Sequence, residues 1–259
     1  MKMPAEARIT ALYRYPVKGL SPESLGHVTL GPGDCFPWDR AYAIEQGKRV
    51  FDEENPAYFP KRFFLELMLH EELARLRTRF DEATRVLSIY RGDDELVTAD
   101  LGQPEGRAAI EAFMADYMGS RIKGAPRIVH APGFSFSDVP AKCISIINLA
   151  SVRALEQVTG RPVDPLRFRA NVYVEGLEPW VDHDWSARSL TLGSAELEGV
   201  EPIVRCAATN VDPATGARDM TIPATLLRSY GHSFLGLYAR VRGAGSIRPG
   251  DRLALASPA

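Results

Sequence analysis

Nearly every apolar run in this chain is short and closes within a few residues on glycine, proline or aspartate. Such runs suit strands joined by turns, not long helices. Ile9 to Val17 reads as a strand, with Pro16 marking its end or a sheet edge. Gly26 to Leu30 is a second, stopped by Gly31-Pro32-Gly33-Asp34. Trp38 to Ile44 is a third, with Arg40 and Tyr42 on one face. Phe51 to Pro60 is acidic and broken by proline, as loops are, whereas Lys61 to Met68 fits a buried strand or a short helix equally. Ala74 to Arg79, Arg85 to Arg91 and Glu95 to Ala99 alternate around turn-like separators and predict a meander of hairpins. Helical periodicity is confined to Pro104 to Met118, Ser151 to Thr159 and a short stretch from Ala224 to Ser229. A domain boundary is expected near residue 125. Beyond it Cys143 to Asn148, Leu166 to Val174, Ser189 to Leu192, Ala195 to Cys206, Leu235 to Val241 and Asp251 to Leu255 read as strands. Gly243 to Gly250 reads as a glycine-rich turn. This half predicts a β-barrel with few helices.

The 259 residues carry a net charge of −2, so no basic field recruits nucleic acid. Three cysteines, an odd and sparse count, imply no disulfide framework and point to a reducing compartment. The opening residues lack the apolar run of a signal peptide, and no stretch is long enough to span a bilayer. The expectation is a cytoplasmic protein with no membrane partner.

Chemistry concentrates in Pro202 to Gly216. An apolar strand end delivers Arg205 and Cys206 into a polar segment that closes on Asp212-Pro213-Ala214-Thr215-Gly216, a strong turn signal. A guanidinium beside a thiol favours thiolate, which binds soft metals or attacks electrophiles. A lone cysteine in an apolar strand also serves as a small core residue. Alternation from Leu166 puts Arg167, Arg169 and Asn171 on one strand face. That face is either a phosphate or carboxylate clamp, or a pair of salt bridges to acids such as Glu175 and Asp164. Arg40 likewise reads as a binding group or as the partner of Asp39 or Glu45. His183 lies between Asp182 and Asp184 with no second histidine at ligand spacing, and is read as part of a solvated loop. There is no glycine-rich nucleotide loop, no Cys-x-x-Cys, and Leu235 stands where a serine-hydrolase elbow needs glycine.

Taken in order, these pieces resemble the MOSC family, the molybdenum cofactor sulfurase C-terminal domain, preceded by its N-terminal β-barrel partner domain. The matching segments are Tyr15-Pro16-Val17-Lys18-Gly19, Trp38-Asp39-Arg40, Ser145 to Ser151, Arg167 to Asn171, Val204-Arg205-Cys206, Val211 to Gly216 and Gly245 to Asp251. The resemblance implies an α+β fold that is mostly β, with an N-terminal β-barrel-like domain over residues 1–125 and a MOSC β-barrel over 126–259. Within that family it looks similar to the mitochondrial amidoxime-reducing component and to bacterial reductases of N-hydroxylated compounds. By that resemblance Cys206 is the catalytic cysteine and the ligand to molybdenum in a bound molybdenum cofactor (molybdopterin). Lys18, Arg40, Arg169, Asn171 and Arg205 hold the pterin and its phosphate, and a small N-hydroxylated compound is the substrate. Asp212 and Thr215 are positioning groups or simply the turn. Some bacterial relatives carry a C-terminal ferredoxin domain; here the expected electron donor is a separate flavoprotein or iron–sulfur protein. A sulfur carrier using a Cys206 persulfide for metal–sulfur assembly is the alternative. Two positions depart from the reductase pattern: Gly19 and Val204 stand where serine is common.

Overall fold

The structure, a computed structural model, describes residues 7–256. The chain enters as β1 (Ala7–Arg14), followed by β2 (Glu23–Leu25), β3 (Val28–Leu30) and β4 (Tyr42–Gln46). The expected meander is β5 (Arg77–Asp81), β6 (Val86–Arg91) and β7 (Asp94–Asp100). Helix α1 (Pro104–Met118) leads to β8 (Pro126–His130). The second half holds β9 (Ile144–Asn148), α2 (Leu149–Thr159), β10 (Val172–Glu175), β11 (Ser189–Leu192), β12 (Ala195–Val204), α3 (Ile222–Tyr230), β13 (Phe234–Gly243), β14 (Gly245–Ile247) and β15 (Arg252–Leu255). The architecture is mostly β with three α-helices among the described residues. No helix among them is long and apolar enough to cross a membrane.

Seven strands close into a barrel in the order β10-β9-β13-β12-β11-β15-β1, because β1 pairs with β10 as well as β15. Closure leaves no free edge. Its one parallel pair, β9 with β10, is bridged by the α2 crossover. Ile9, Leu12, Ile144, Ile146, Val172, Leu197, Leu237 and Val241 fill the interior. Strand β9 is buried along its whole length. Ile144 and Ile146 face the barrel, while Ile147 packs outside it with Leu155, Phe168 and Leu226 beneath α2 and α3. This two-sided burial is why its sequence reads as a continuous apolar run.

A second core forms where β4, the β5–β7 meander and α1 meet. In α1 the buried residues are Ile110, Met114 and Met118, one helical turn apart, with Ala108 and Ala112 on the exposed side. Strand β8 pairs with β4 from Tyr42↔His130 to Gln46↔Pro126. A cut at residue 125 would therefore part β4 from β8 and β1 from the barrel.

Two strand assignments need correction. Trp38 to Arg40 form a turn, with Trp38 and Arg40 at positive φ, and the strand begins only at Tyr42. Residues Pro165–Phe168 form a 3-10 turn capped by the Asp164 side chain, and Arg169 follows at φ +50°. Proline at the turn start and the left-handed arginine break the alternation that placed Arg167, Arg169 and Asn171 on one strand face. The loop at His183 is also not a solvated one. It is a 3-10 turn, Val181–Trp185, with Asp182 buried against Asn148 and the His183 ring 5.1 Å from that of His232. Gly245–Ile247, read as turn, pairs with β3. The amino-terminal residues that bear on a signal peptide lie outside the described residues.

Candidate functional site

At the end of the barrel where β12 runs out, the loops after β1 and around residues 131–143 enclose a cavity of about 350 Å³. Lys18, Arg40, Arg169, Asn171, Arg205 and Cys206 all line it. Thus the cysteine and the five residues expected to hold the cofactor are brought to one place, by four separate segments.

Cys206 stands two residues past the end of β12. The backbone N–H of Arg205 donates to Ser233 O at 2.8 Å, the final cross-strand bond before the chain leaves the sheet. A 3-10 turn, Ala207–Asn210, then fixes the cysteine from the other side: Thr209 donates to the Cys206 carbonyl through its N–H at 3.1 Å and its hydroxyl at 2.9 Å. Two residues from sequence, Asp212 and Thr215, build the following turn. The Asp212 carboxylate accepts from the Ala214 and Thr215 N–H groups and the Thr215 hydroxyl. Neither lines the cavity.

Lys18 is 6% exposed, and its ammonium donates to Phe136 O at 2.8 Å and Asp138 Oδ1 at 2.6 Å. Gly19 follows at φ +86°, with the Leu65 carbonyl oxygen 2.5 Å from where a Cβ would sit. Only glycine fits that turn and that approach. The absence of a serine hydroxyl there is thus a consequence of how close the Leu65–Glu66 backbone comes. Val204, the other departure, is 65% exposed and offers the cavity no polar group.

Arg40 pairs with Asp39, donates to Arg169 O at 2.7 Å and lies over the Tyr15 ring at 4.7 Å. The Arg169 guanidinium covers the same ring at 4.3 Å and donates to Leu20 O at 2.8 Å. Arg205 donates to Leu235 O and to Phe168 O at 2.9 Å. It can lie flat there because Gly236, at φ +88°, has no side chain in the way. Asn171 is spent mainly on the fold, its Oδ1 accepting from the Ser145 N–H and hydroxyl at 3.0 and 2.9 Å. Arg167, the remaining member of the expected clamp, is buried and ion-paired with Asp212 at 3.0 Å and Asp219 at 2.9 Å. Its charge is used up inside the fold.

The sequence reading missed Lys61 and Asp138. Lys61 Nζ donates to Cys206 Sγ at 3.1 Å and to Asp138 Oδ2 at 3.0 Å. Asp138 therefore bridges Lys18 and Lys61. Burial opposes its charge, but the two ammoniums outweigh it and hold the carboxyl well below the usual aspartate range. Lys61 is raised despite burial, by Asp138 and Cys206, whereas burial lowers Lys18, Arg169 and Arg205. Among the described residues, Arg169 and Arg205 meet no carboxylate, so the wall carries more positive than negative charge. The other thiol on the wall, Cys143, is pushed up to about 11 by burial, which keeps it protonated.

Residues 131–254 match the family model described as the MOSC domain. The chain is 26% identical over 239 residues to molybdenum cofactor sulfurase of Caenorhabditis briggsae, a match covering 86% of this chain and 31% of that protein. It is 29% identical over 118 residues to mitochondrial amidoxime-reducing component 1 of Mus musculus, covering 41% of this chain and 34% of that one. The human counterpart is 32% identical over 85 residues, 33% of this chain and 25% of that protein. The matched region thus spans between 25% and 34% of these curated relatives. Among solved structures, the YUAD protein of Bacillus subtilis aligns over 98% of this chain and 97% of that chain, at 13% identity and a TM-score of 0.45. YiiM of Geobacillus stearothermophilus aligns over 44% of this chain and 54% of that chain, at 24% identity and a TM-score of 0.36.

Proposed function

We propose that this chain, whose residues 131–254 match the MOSC domain model, binds the molybdenum cofactor in the cavity beside Cys206 and reduces N-hydroxylated compounds. One observation carries the reading: the Cys206 thiol stands at a wall whose guanidiniums Arg169 and Arg205 have no carboxylate to meet among the described residues. The donor set fits the group. Cys206 offers one soft sulfur ligand, and a pterin dithiolene brings the others. The phosphate of the pterin would neutralise the surplus cations, with guanidiniums as two-pronged donors. Bound there, the cofactor supplies the oxygen-atom and electron chemistry, and the protein supplies binding and orientation. Lys61 meets the sulfur, and Asp138 ties Lys18 to Lys61. Arg40, Arg169 and Arg205 flank the barrel side. Asn171 pins β9, β10 and β1 together and so fixes where the arginines stand. Electrons come from a separate flavoprotein or iron–sulfur protein.

Anaerobic turnover of benzamidoxime by cofactor-loaded protein with a chemical reductant tests this. Benzamidine is the expected product; none from fully loaded protein would sink the reading.

A second reading has an observation of its own in its favour. The Lys61 ammonium at 3.1 Å from Cys206 Sγ would also steady a persulfide, the form in which a sulfur carrier holds its cargo. Intact-mass detection of a persulfide on Cys206 in protein without pterin would favour it.

A further inference from the structure

Glu66 is a buried acid on the wall of the same cavity, 5% exposed. Its backbone is fixed on three sides. Leu65 N–H donates to Ile44 O at 2.7 Å, Leu69 and His70 N–H groups donate to Glu66 O at 3.2 and 3.0 Å, and the Leu65–Glu66 peptide fills the space left by Gly19. The two carboxyl oxygens are treated differently. Oε2 accepts from the Met68 N–H at 2.7 Å. Oε1 is buried and meets no hydrogen-bond partner.

A buried carboxylate needs donors at both oxygens, whereas a neutral acid needs a donor only at its carbonyl oxygen and carries a proton on the other. Glu66 has the second arrangement. The charged groups that face it are Lys61, Asp138 and Lys18, and both ammoniums are already bound to Asp138. Arg218 comes near from the other side but donates to the carbonyls of Leu67 and Met68. Burial accordingly raises the Glu66 carboxyl above the usual glutamate value, against the Met68 N–H and the two lysines.

We propose that Glu66 is the proton donor of this cavity, carrying on Oε1 a proton that it delivers to the oxygen leaving an N–OH substrate. The proposal rests on the reductase reading. The balance is R–NH–OH + 2 e⁻ + 2 H⁺ → R–NH₂ + H₂O. The N–O bond breaks and the oxygen leaves as water. Glu66 supplies one proton and solvent the other. Both electrons come from the external flavoprotein or iron–sulfur partner by way of the bound cofactor. The glutamate left behind is reprotonated from water, with Lys18 and Lys61 near enough to steady its charge meanwhile.

The test compares the parent with Glu66→Gln and Glu66→Asp in two measurements. Glutamine keeps an acceptor for Met68 N–H and so keeps the local fold. In infrared spectra at pH 7, the parent is expected to show a protonated-carboxyl band that Glu66→Gln lacks; its absence from the parent overturns the proposal. In single turnovers of benzamidoxime by molybdenum-loaded protein, the parent rate is expected to fall as pH rises. Glu66→Gln should be slower by about 100-fold and flat with pH, with Glu66→Asp recovering part of the loss. Molybdenum and pterin content should be equal in all three. A Glu66→Gln rate equal to the parent, or loss of pterin from that variant, overturns the proposal. If the loaded parent leaves benzamidoxime untouched, the reductase reading has failed. The infrared band then still upholds or overturns Glu66 as the proton-holding group of the cavity.

Discussion

Lys61 Nζ lies 3.1 Å from Cys206 Sγ, joining residues 145 positions apart in the chain. The lysine comes from the 3-10 turn Lys61–Phe63, and the cysteine from the end of β12. Replacing Lys61 with methionine keeps the apolar stem and removes the donor. The expected result is a 10- to 100-fold weaker hold on molybdenum, about what losing a group that orients a metal ligand costs. Molybdenum retained after dialysis against a chelator measures it; retention equal to the parent would contradict the assigned contact.

Asp138 ties Lys18 to Lys61, and its removal strands a buried ammonium. A fully buried pair broken this way costs about 3–5 kcal/mol. The Asp138 side chain is 43% exposed, so screening trims the expected loss in Asp138→Asn to about 1 kcal/mol. The sign with pH follows from the direction of the shift. Folding holds this carboxyl below its ordinary value of 3.8, so its contribution is present above that pH and fades as pH falls further. Melting curves of parent and variant should differ at pH 7 and converge in acid. A gap that persists or widens in acid would contradict this.

Gly19 is the clearest steric constraint at the site. Gly19→Ser would put a side chain at positive φ and its Cβ 2.5 Å from the Leu65 carbonyl oxygen. The expected cost is about 1–3 kcal/mol, read as a lowered melting temperature. A variant as stable as the parent would show that the Leu65–Glu66 segment moves aside.

Arg167 is expected to matter for stability and not for binding. Its side chain is 2% exposed and balances Asp212 and Asp219. Arg167→Met should cost about 3 kcal/mol, the low end for a broken buried pair, because Asp212 loses its guanidinium and Asp219 keeps only Arg161. Molybdenum per folded molecule should stay unchanged. Loss of metal with stability intact would return Arg167 to the clamp.

The barrel was legible in the sequence because its strands are short, apolar and punctuated, and α1 because Ile110, Phe113, Met114 and Tyr117 fall at helical spacing. Arg205 and Cys206 were legible because an apolar strand end runs directly into a turn. Arg167 and Arg169 were misplaced because alternation was begun at Leu166, inside a 3-10 turn that Pro165 starts and that sends the two guanidiniums to different partners. Trp38 to Arg40 failed in the same way, at residues with positive φ. Lys61, Glu66 and Asp138 carry no local signal. One follows a proline, one sits in an apolar run and one in a loop, and only the fold brings them to the cavity. The closure of β1 onto β10 likewise depends on pairing across most of the chain.

The measurement that bears most directly on cofactor binding at Cys206 is the molybdenum and pterin content of the purified protein beside Cys206→Ala, both made in a host that synthesises the cofactor. Near-stoichiometric molybdenum is expected in the parent and little in the variant, with pterin held in the parent by Arg40, Arg169 and Arg205. Neither molybdenum nor pterin in the parent would contradict cofactor binding at Cys206.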